Sequence, residues 1–518
     1  MPFARHVATV GAATLASRLL GFVRDIVIAA LFGAGAVADA FFVAFQLPNL
    51  ARRLLAEGAL NAAFVPLYLR AQDAGGRSAA AAFAGRVATA LTFLLALAVG
   101  LVALLMPWLI VLLAPGFAGA DPRLPLAVVL AQLMLPYLVL AGPVAVLIGV
   151  LNANQRFATA AFAAFVFNLV LVAVLVGLVL IRSDVVAAGH VAAAAIGFAG
   201  LAQLALVAFG VRRAAAMPWP LAFAAGAELR RFLALAVPGM IAAAIPQLTL
   251  VAGTMVASAE PNAVSWLYYA YRLFELPLGI VGIAVGTVLV PVLATAARSG
   301  DPAALAGAQS RGLEWALGLA LPAAVALFVL PETIVRILFE RGAFTAADTE
   351  TTAAVLGALA LGLPGHVLAK AFAPAFYARE DTATPLRAAL AGLAMAIAGS
   401  LVLFPLLGPY GIALAAAAGG WIHAAWLAWL IAHRIGFDID AAARRRVPLI
   451  AAAAALMGAI LVLLQDAATA IAGPPHGFAG AIVLALLVAA GLAVYGGTLA
   501  IARVIAWSDM TALLRRSV

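Results

Sequence analysis

Apolar stretches of about 17 to 25 residues follow one another along this sequence, parted by short polar joints, and that is the length a helix needs to cross a bilayer. One such stretch would fit a buried core helix; a series from end to end fits a lipid solvent. The pattern predicts spans at about 7–31, 37–68 (bent), 83–113, 124–150, 157–180, 188–210, 229–257, 264–297, 311–336, 351–377, 386–407, 410–433, 447–466 and 479–505. The division between 386–407 and 410–433 rests on Gly408, Pro409 and Gly411, which interrupt a helix. Ala, Leu, Val, Gly and Phe fill the spans, as suits close helix packing, without the polar alternation of a barrel lumen. The expected fold class is an all-α polytopic membrane protein of about fourteen transmembrane helices.

Composition agrees: 67% of the 518 residues are hydrophobic and 10% charged. That leaves too little polar surface for a soluble chain of this length. No cysteine is present, which excludes disulfides, thiolate metal sites and a cysteine nucleophile. The first apolar segment continues as a full span, so no cleavable leader is expected. The net charge of +9 follows from topology. With a cytoplasmic N-terminus, twenty arginines fall in inside loops, against four outside: Arg123, Arg182, Arg336 and Arg341. Both termini are then cytoplasmic, and no nucleic-acid partner is required. The run "ARRRV" at 443–447 reads as a topology anchor.

The chain also repeats at an offset near 225 residues. Pro66 in "FVPLY" and Pro291 in "LVPVL" are 225 apart, and "LNANQRFAT" at 151–159 lies against "FYAREDTAT" at 376–384 by the same interval. A repeat of six helices has both copies entering from one side, which relates them by an axis along the membrane normal. This predicts two pseudo-symmetric six-helix lobes, 1–225 and 226–440, followed by two additional helices and a short cytoplasmic tail at 441–518.

Six cations do not fall in loops: Arg18, Arg24, Arg52, Arg53, Arg272 and Lys370. Arg18 stands roughly 16 Å into the first span at 1.5 Å per residue. Charge at such depth is costly and faces water or a partner. The nearby acids are Asp25, Asp39, Glu57 and Glu275; Arg18 and Asp25, seven apart, share a helix face, and Arg53 and Glu57 stand at i,i+4. Pro48 bends the second span beside Asn49, and Pro277, Gly279 and Gly282 loosen the eighth, so these four are hinge candidates. One reading is a cationic cavity built by helices one, two and eight, whose planar guanidinium forks suit phosphate or carboxylate. The other is a set of structural ion pairs or snorkelling groups. Asn168 in the fifth span fits packing and ligand binding equally. Asn152, Asn154, Gln155 and Arg156 read as a structural turn, and the scattered histidines, His366 and His423 among them, form no metal-ligand spacing.

No phosphate-binding loop, dinucleotide fingerprint or nucleophile elbow is present, and no metal or cofactor is implied. Energy for transport must come from an ion gradient, the membrane potential or a downstream sink. Gln247, Thr249, Thr254 and Ser258 of the seventh span offer only a weakly specified cation site.

Several long motifs carry a resemblance. "SRLLGFVRD" (17–25), "ADAFFVAFQLPNLARRLLAEGALNAAFVPLY" (38–68), "NANQRF" (152–157), "YRLFELPLGIVGIAVGTVLVPVL" (271–293) and "ERGAFTAADTETTAAVL" (340–356) resemble the MurJ/MviN lipid II flippase family, within the multidrug/oligosaccharidyl-lipid/polysaccharide exporter superfamily. The resemblance implies fourteen helices, a prenyl-tail groove formed by the last two, and inward-to-outward movement of an undecaprenyl-linked peptidoglycan precursor by alternating access. By motif it implies Arg18, Arg24, Arg52 and Arg272 as the cavity cations, with Asp39 and Glu275 as acidic positions. Lipid II, membrane lipids and peptidoglycan-synthesis enzymes are the implied partners, the inner membrane is the implied site, and a monomer is expected to suffice. Some relatives couple to sodium through polar residues of the seventh and later helices, and this chain lacks a seventh-helix carboxylate. Two rival functions stand beside this one: export of another polyprenyl-linked oligosaccharide or amphipathic drug, and a non-transporting scaffold for cell-wall synthesis. An enzyme is not expected.

Overall fold

The computed structural model describes residues 2–504 except 57–58, 215–226, 285–291, 294, 296–301, 380, 436–438 and 474–475. Among the described residues the chain is helical and has no strand. The helices are α1 Pro2–Phe32, α2 Ala36–Ala56, α3 Ala59–Leu104, α4 Met106–Leu113, α5 Arg123–Met134, α6 Pro136–Ala153, α7 Phe157–Leu180, α8 Val185–Arg213, α9 Ala227–Ala257 and α10 Ala263–Ala284. They continue as α11 Pro302–Val329, α12 Pro331–Phe339, α13 Ala346–Tyr377, α14 Ala383–Leu407, α15 Pro409–Leu430, α16 Ala441–Ala472 and α17 Gly477–Ile501. Ten helical stretches among the described residues are long and apolar enough to cross a membrane.

Proline explains where single predicted spans divide. Pro107, Pro136, Pro331 and Pro409 open α4, α6, α12 and α15 at the first or second position, where a missing N–H costs no helical bond. The predicted spans 83–113, 124–150 and 311–336 are therefore each two helices, separated at Leu105, Leu135 and Leu330. Across span 37–68, α2 is described as far as Ala56 and α3 from Ala59 to Leu104 with a kink at Gly75 and Gly76, and residues 57–58 lie outside the described residues. Pro48 and Pro277 lie inside α2 and α10, and neither ends its helix.

By contact the chain forms two compact units: Met1–Ser265 with Arg341–Phe344, and Trp266–Glu340 with Thr345–Val518. In the first, aromatic rings pack the two arms of α3 on each other across its kink and join α3 to α9. Phe64 and Phe83 stack at 5.5 Å between centroids, and Phe232 meets Phe64 edge-on at 6.3 Å. The segment Arg341–Phe344 belongs here although its flanks belong to the second unit. The Ala343 amide donates to the Ala30 carbonyl at 2.9 Å. Gly33 and Gly342 have φ of +61° and +62°, and a Cβ on either would come within 2.3 Å of the other segment's backbone. Both positions need glycine for conformation and for space.

Small residues set the packing of the second unit. A Cβ on Gly419 would stand 2.5 Å from the Gly392 carbonyl oxygen, and one on Gly362 would stand 2.5 Å from Ala417. These glycines let α13, α14 and α15 approach backbone to backbone, the usual device where lipid offers no hydrophobic drive. The last two helices, α16 and α17, share a core of Ile450, Met457, Leu461, Leu487 and Leu499 with Leu330. The Tyr495 hydroxyl donates to the Gly318 carbonyl at 2.7 Å and fixes α17 to α11.

Candidate functional site

The most enclosed deep cation is Arg24. Its Nε and Nη2 both donate to Asp25 Oδ1, at 3.0 and 2.7 Å, and its Nη1 donates to Asn168 Oδ1 at 3.1 Å. The guanidinium carbon lies 5.2 Å from the centre of the Phe45 ring, a cation–π contact. Asp25 is fully buried and Arg24 is 7% exposed. A narrow crevice beside them is lined by Arg24, Ile28, Phe41, Phe45, Leu171 and Leu175, so only the guanidinium is charged there. Asp25 thus closes on its neighbour Arg24, whereas Arg18, the partner suggested by helix phase, is exposed. An arginine stem is long enough to fold back on an adjacent carboxylate, and the fork geometry favours it.

On α2, Arg52 Nη2 donates to Asn49 Oδ1 at 2.9 Å, one turn apart. Arg52, Arg53 and Asn49 are half-buried, and Pro48 is buried beside them. Glu57 lies outside the described residues.

Asp39, near the start of α2, is fully buried and takes four donors. They are the Asn262 amide at 2.8 Å, the Ser265 amide at 3.0 Å, the Ser265 hydroxyl at 2.6 Å and Arg123 Nη1 at 3.1 Å. The Ser265 amide belongs to the first turn of α10, whose N–H groups have no partner within the helix; Asp39 caps that turn from another helix. Arg123 also donates to Asp121 and to the carbonyls of Ser258 and Glu260, and its guanidinium carbon lies 4.3 Å from the centre of the Phe117 ring. These hydrogen bonds hold the Asp121 carboxyl below the usual carboxylate range. Gly116 donates its amide to Ser258 Oγ at 2.9 Å and completes the node.

Sequence reasoning placed Arg123 among the outside-loop arginines, but it is 5% exposed and the centre of this node. Two signals were available. It is one of few cations on its side, and "ADPRLP" puts an aspartate two residues before it.

In the second unit, Arg272 Nη1 meets Glu275 Oε2 at 3.1 Å across i,i+3, with side chains 25% and 31% exposed. Both residues are more open than Arg24 and Asp25. Lys370 on α13 is exposed, and its Nζ lies 3.2 Å from the place a Cβ on Gly282 would take, so that glycine leaves room for the ammonium group. In α9 the hydroxyls of Thr254 and Ser258 donate to backbone carbonyls at 3.0 and 2.7 Å. Among the described residues no group of three or more His, Asp or Glu could hold a metal ion. The guanidinium forks suit anions, and Arg24 and Arg272 each carry a carboxylate partner, so both features weighed from the sequence, cationic forks and ion pairs, are present.

The sequence model of the family described as "Lipid II flippase MurJ" matches residues 28–472. The chain belongs to the lipid II flippase MurJ family. It is 41% identical over 497 residues to the probable lipid II flippase MurJ of Rhizobium meliloti (strain 1021), covering 96% of this chain and 93% of that protein. It is 34% identical to the lipid II flippase MurJ of Burkholderia cenocepacia, covering 81% and 82% of the two chains. The fold is that of a solved lipid II flippase MurJ in an inward closed conformation, with a TM-score of 0.78, 24% identity, and coverage of 95% of this chain and 98% of that one. An inward-facing multidrug MATE transporter of the MOP superfamily shares it more distantly, at a TM-score of 0.64 and 16% identity, over 84% and 95% of the chains. Asp39, Asn49, Arg52 and Arg272 lie within the MurJ family match, while Arg18, Arg24 and Asp25 precede it.

Proposed function

We propose that this chain flips lipid II, the undecaprenyl-diphosphate-linked peptidoglycan precursor, from the cytoplasmic to the periplasmic leaflet of a bacterial inner membrane by alternating access. Membership of the MurJ family supports the substrate. The observation that carries the mechanism is the state of Arg24: enclosed among apolar side chains, held flat by Asp25 and Asn168, and keeping N–H groups that no described residue takes. Such a group offers charge-assisted hydrogen bonds to a diphosphate in a site of low dielectric, where they are strongest. Arg18, Arg52 and Arg272 complete the cationic set. The prenyl tail stays in lipid or against the last two helices while the headgroup crosses, which avoids drawing a long hydrocarbon through polar space. Pro48 and the Pro277–Gly279–Gly282 run absorb the change of shape. No covalent step is needed.

The topology in this reading has fourteen spans with both termini cytoplasmic, arranged as lobes 1–225 and 226–440 with two further helices at 441–518, and a monomer suffices. Arginine asymmetry and the 225-residue repeat support it.

The test is depletion in cells with a leaflet-specific measurement of the precursor, followed by rescue. Arg24→Ala strands the buried Asp25, so Arg24→Lys is the cleaner variant, used beside Arg272→Ala. Depletion should trap precursor in the inner leaflet, and neither variant should restore wild-type flux although both reach the membrane. Normal outward movement after depletion would favour a scaffold, and full rescue by either variant would remove that arginine from the mechanism.

A further inference from the structure

Beside Arg24 stands a half-buried polar side chain whose role the sequence left open. Asn168 sits in the middle of α7, where an amide is costly unless both of its ends are satisfied. Its Nδ2 donates to the Ser17 carbonyl of α1 at 3.3 Å and to the Ala164 carbonyl of its own helix at 3.2 Å. Its Oδ1 accepts from Arg24 Nη1 at 3.1 Å. Two carbonyls on one side and a guanidinium on the other fix which end of the amide faces Arg24. Gly21, one turn from both Ser17 and Arg24, makes the approach possible: a Cβ there would already stand 3.4 Å from Nδ2.

A guanidinium has five N–H donors in one plane. Asp25 takes those of Nε and one of Nη2, and Asn168 takes one of Nη1. Among the described residues one N–H on each terminal nitrogen is left. Asp25 alone would let the group pivot about that single carboxylate oxygen; a second acceptor on the opposite nitrogen removes the freedom. Phe45, 5.2 Å from the guanidinium carbon, supports the plane.

We propose that Asn168 is a positioning residue for anion capture: by holding Nη1 it sets the plane of Arg24, so that the two remaining N–H groups are presented together to a phosphate. Asparagine suits this better than aspartate. A carboxylate at 168 would face the carbonyls of Ser17 and Ala164 and would neutralise the cation it orients. The assignment rests on the reading of Arg24 as a diphosphate ligand.

Two measurements on the full chain in nanodiscs test it and separate its failure from that of the substrate reading. The first is arginine side-chain nitrogen NMR, with the Arg24 signal identified by its loss in Arg24→Lys. Wild type should show slow rotation and distinct Nη signals; Asn168→Leu should average them. The second is equilibrium binding of lipid II against undecaprenol, which has the same tail without the diphosphate. Asn168→Leu should weaken lipid II binding about ten-fold, the size expected for one hydrogen bond to a charged group, and leave undecaprenol unchanged. Equal loss for both ligands, or no loss for lipid II, would overturn the proposal and leave Asn168 as helix packing. If Asn168→Leu does not fold, Asn168→Ala gives the same readout. If wild type itself does not prefer lipid II to undecaprenol, the substrate reading falls, and the NMR alone decides: averaging upholds the restraint on Arg24, and unchanged splitting refutes it.

Discussion

Two ion-paired centres in the first unit make opposite use of the same chemistry. At Asp39 the carboxylate takes four donors from α5, α10 and the turn before α10, and its cation, Arg123, has every other contact turned to protein as well. At Arg24 the carboxylate is just as buried, but among the described residues one N–H on each terminal nitrogen of the guanidinium is not taken. The first centre is a joint between segments far apart in sequence. In the proposed function the second holds its guanidinium for an anionic headgroup. Buried charge by itself does not mark a binding site; unused hydrogen-bonding capacity does.

The sharpest way to break this contrast is to remove each centre in turn. Asp39→Ala takes the buried acceptor from Arg123 Nη1, from the Asn262 and Ser265 amides and from the Ser265 hydroxyl, leaving Arg123 only Asp121 as a carboxylate partner, and should lower stability by about 3 kcal/mol. Thermal unfolding in detergent and the yield of folded protein measure this. Arg24→Lys keeps the charge, loses the fork, and should cut lipid II flux about ten-fold or more, with a melting temperature close to wild type. If Arg24→Lys unfolds as early as Asp39→Ala, both centres are structural and the contrast fails.

Arg272→Ala sharpens the comparison from the second unit. Its pair with Glu275 is half-exposed, so its removal should change stability by about 0–1 kcal/mol while flux still falls. A large drop in melting temperature would make it a packing residue. The smallest effect belongs to Asp121, which stands at the rim of the Asp39 centre. Asp121→Asn should cost about 0.5 kcal/mol at neutral pH. Because Arg123 lowers the Asp121 pKa in the folded state, its contribution is complete above the ordinary aspartate value of about 3.9 and fades as pH falls through the folded value. The difference in melting temperature between Asp121→Asn and wild type should therefore shrink in acid.

How far the sequence disclosed these centres depends on reach along the chain. The deep arginines were visible because each interrupts an apolar span, whereas Asp25 was paired by helix phase with Arg18 and not with its neighbour Arg24. Arg123 was not visible in this way, since its partners Asp39 and Ser258 are 84 and 135 residues away. Asn168 was noticed but had no assigned partner, because Arg24 is 144 residues distant. The helix breaks inside single spans were missed for a local reason. Hydropathy averages over a window and passes smoothly across Leu105, Leu135 and Leu330, whereas one proline a residue or two later is enough to start a new helix.

The crossing of Gly33 and Gly342 has a consequence of its own. Its closeness comes from the lack of side chains, and the Ala343–Ala30 bond across it runs from amide to carbonyl. Such a contact holds equally at any ionic strength and any transmembrane voltage. Stepwise tuning is also closed to the glycine pair, because the smallest possible replacement already collides with backbone, and a substitution scan there should show a cliff where other positions show a slope.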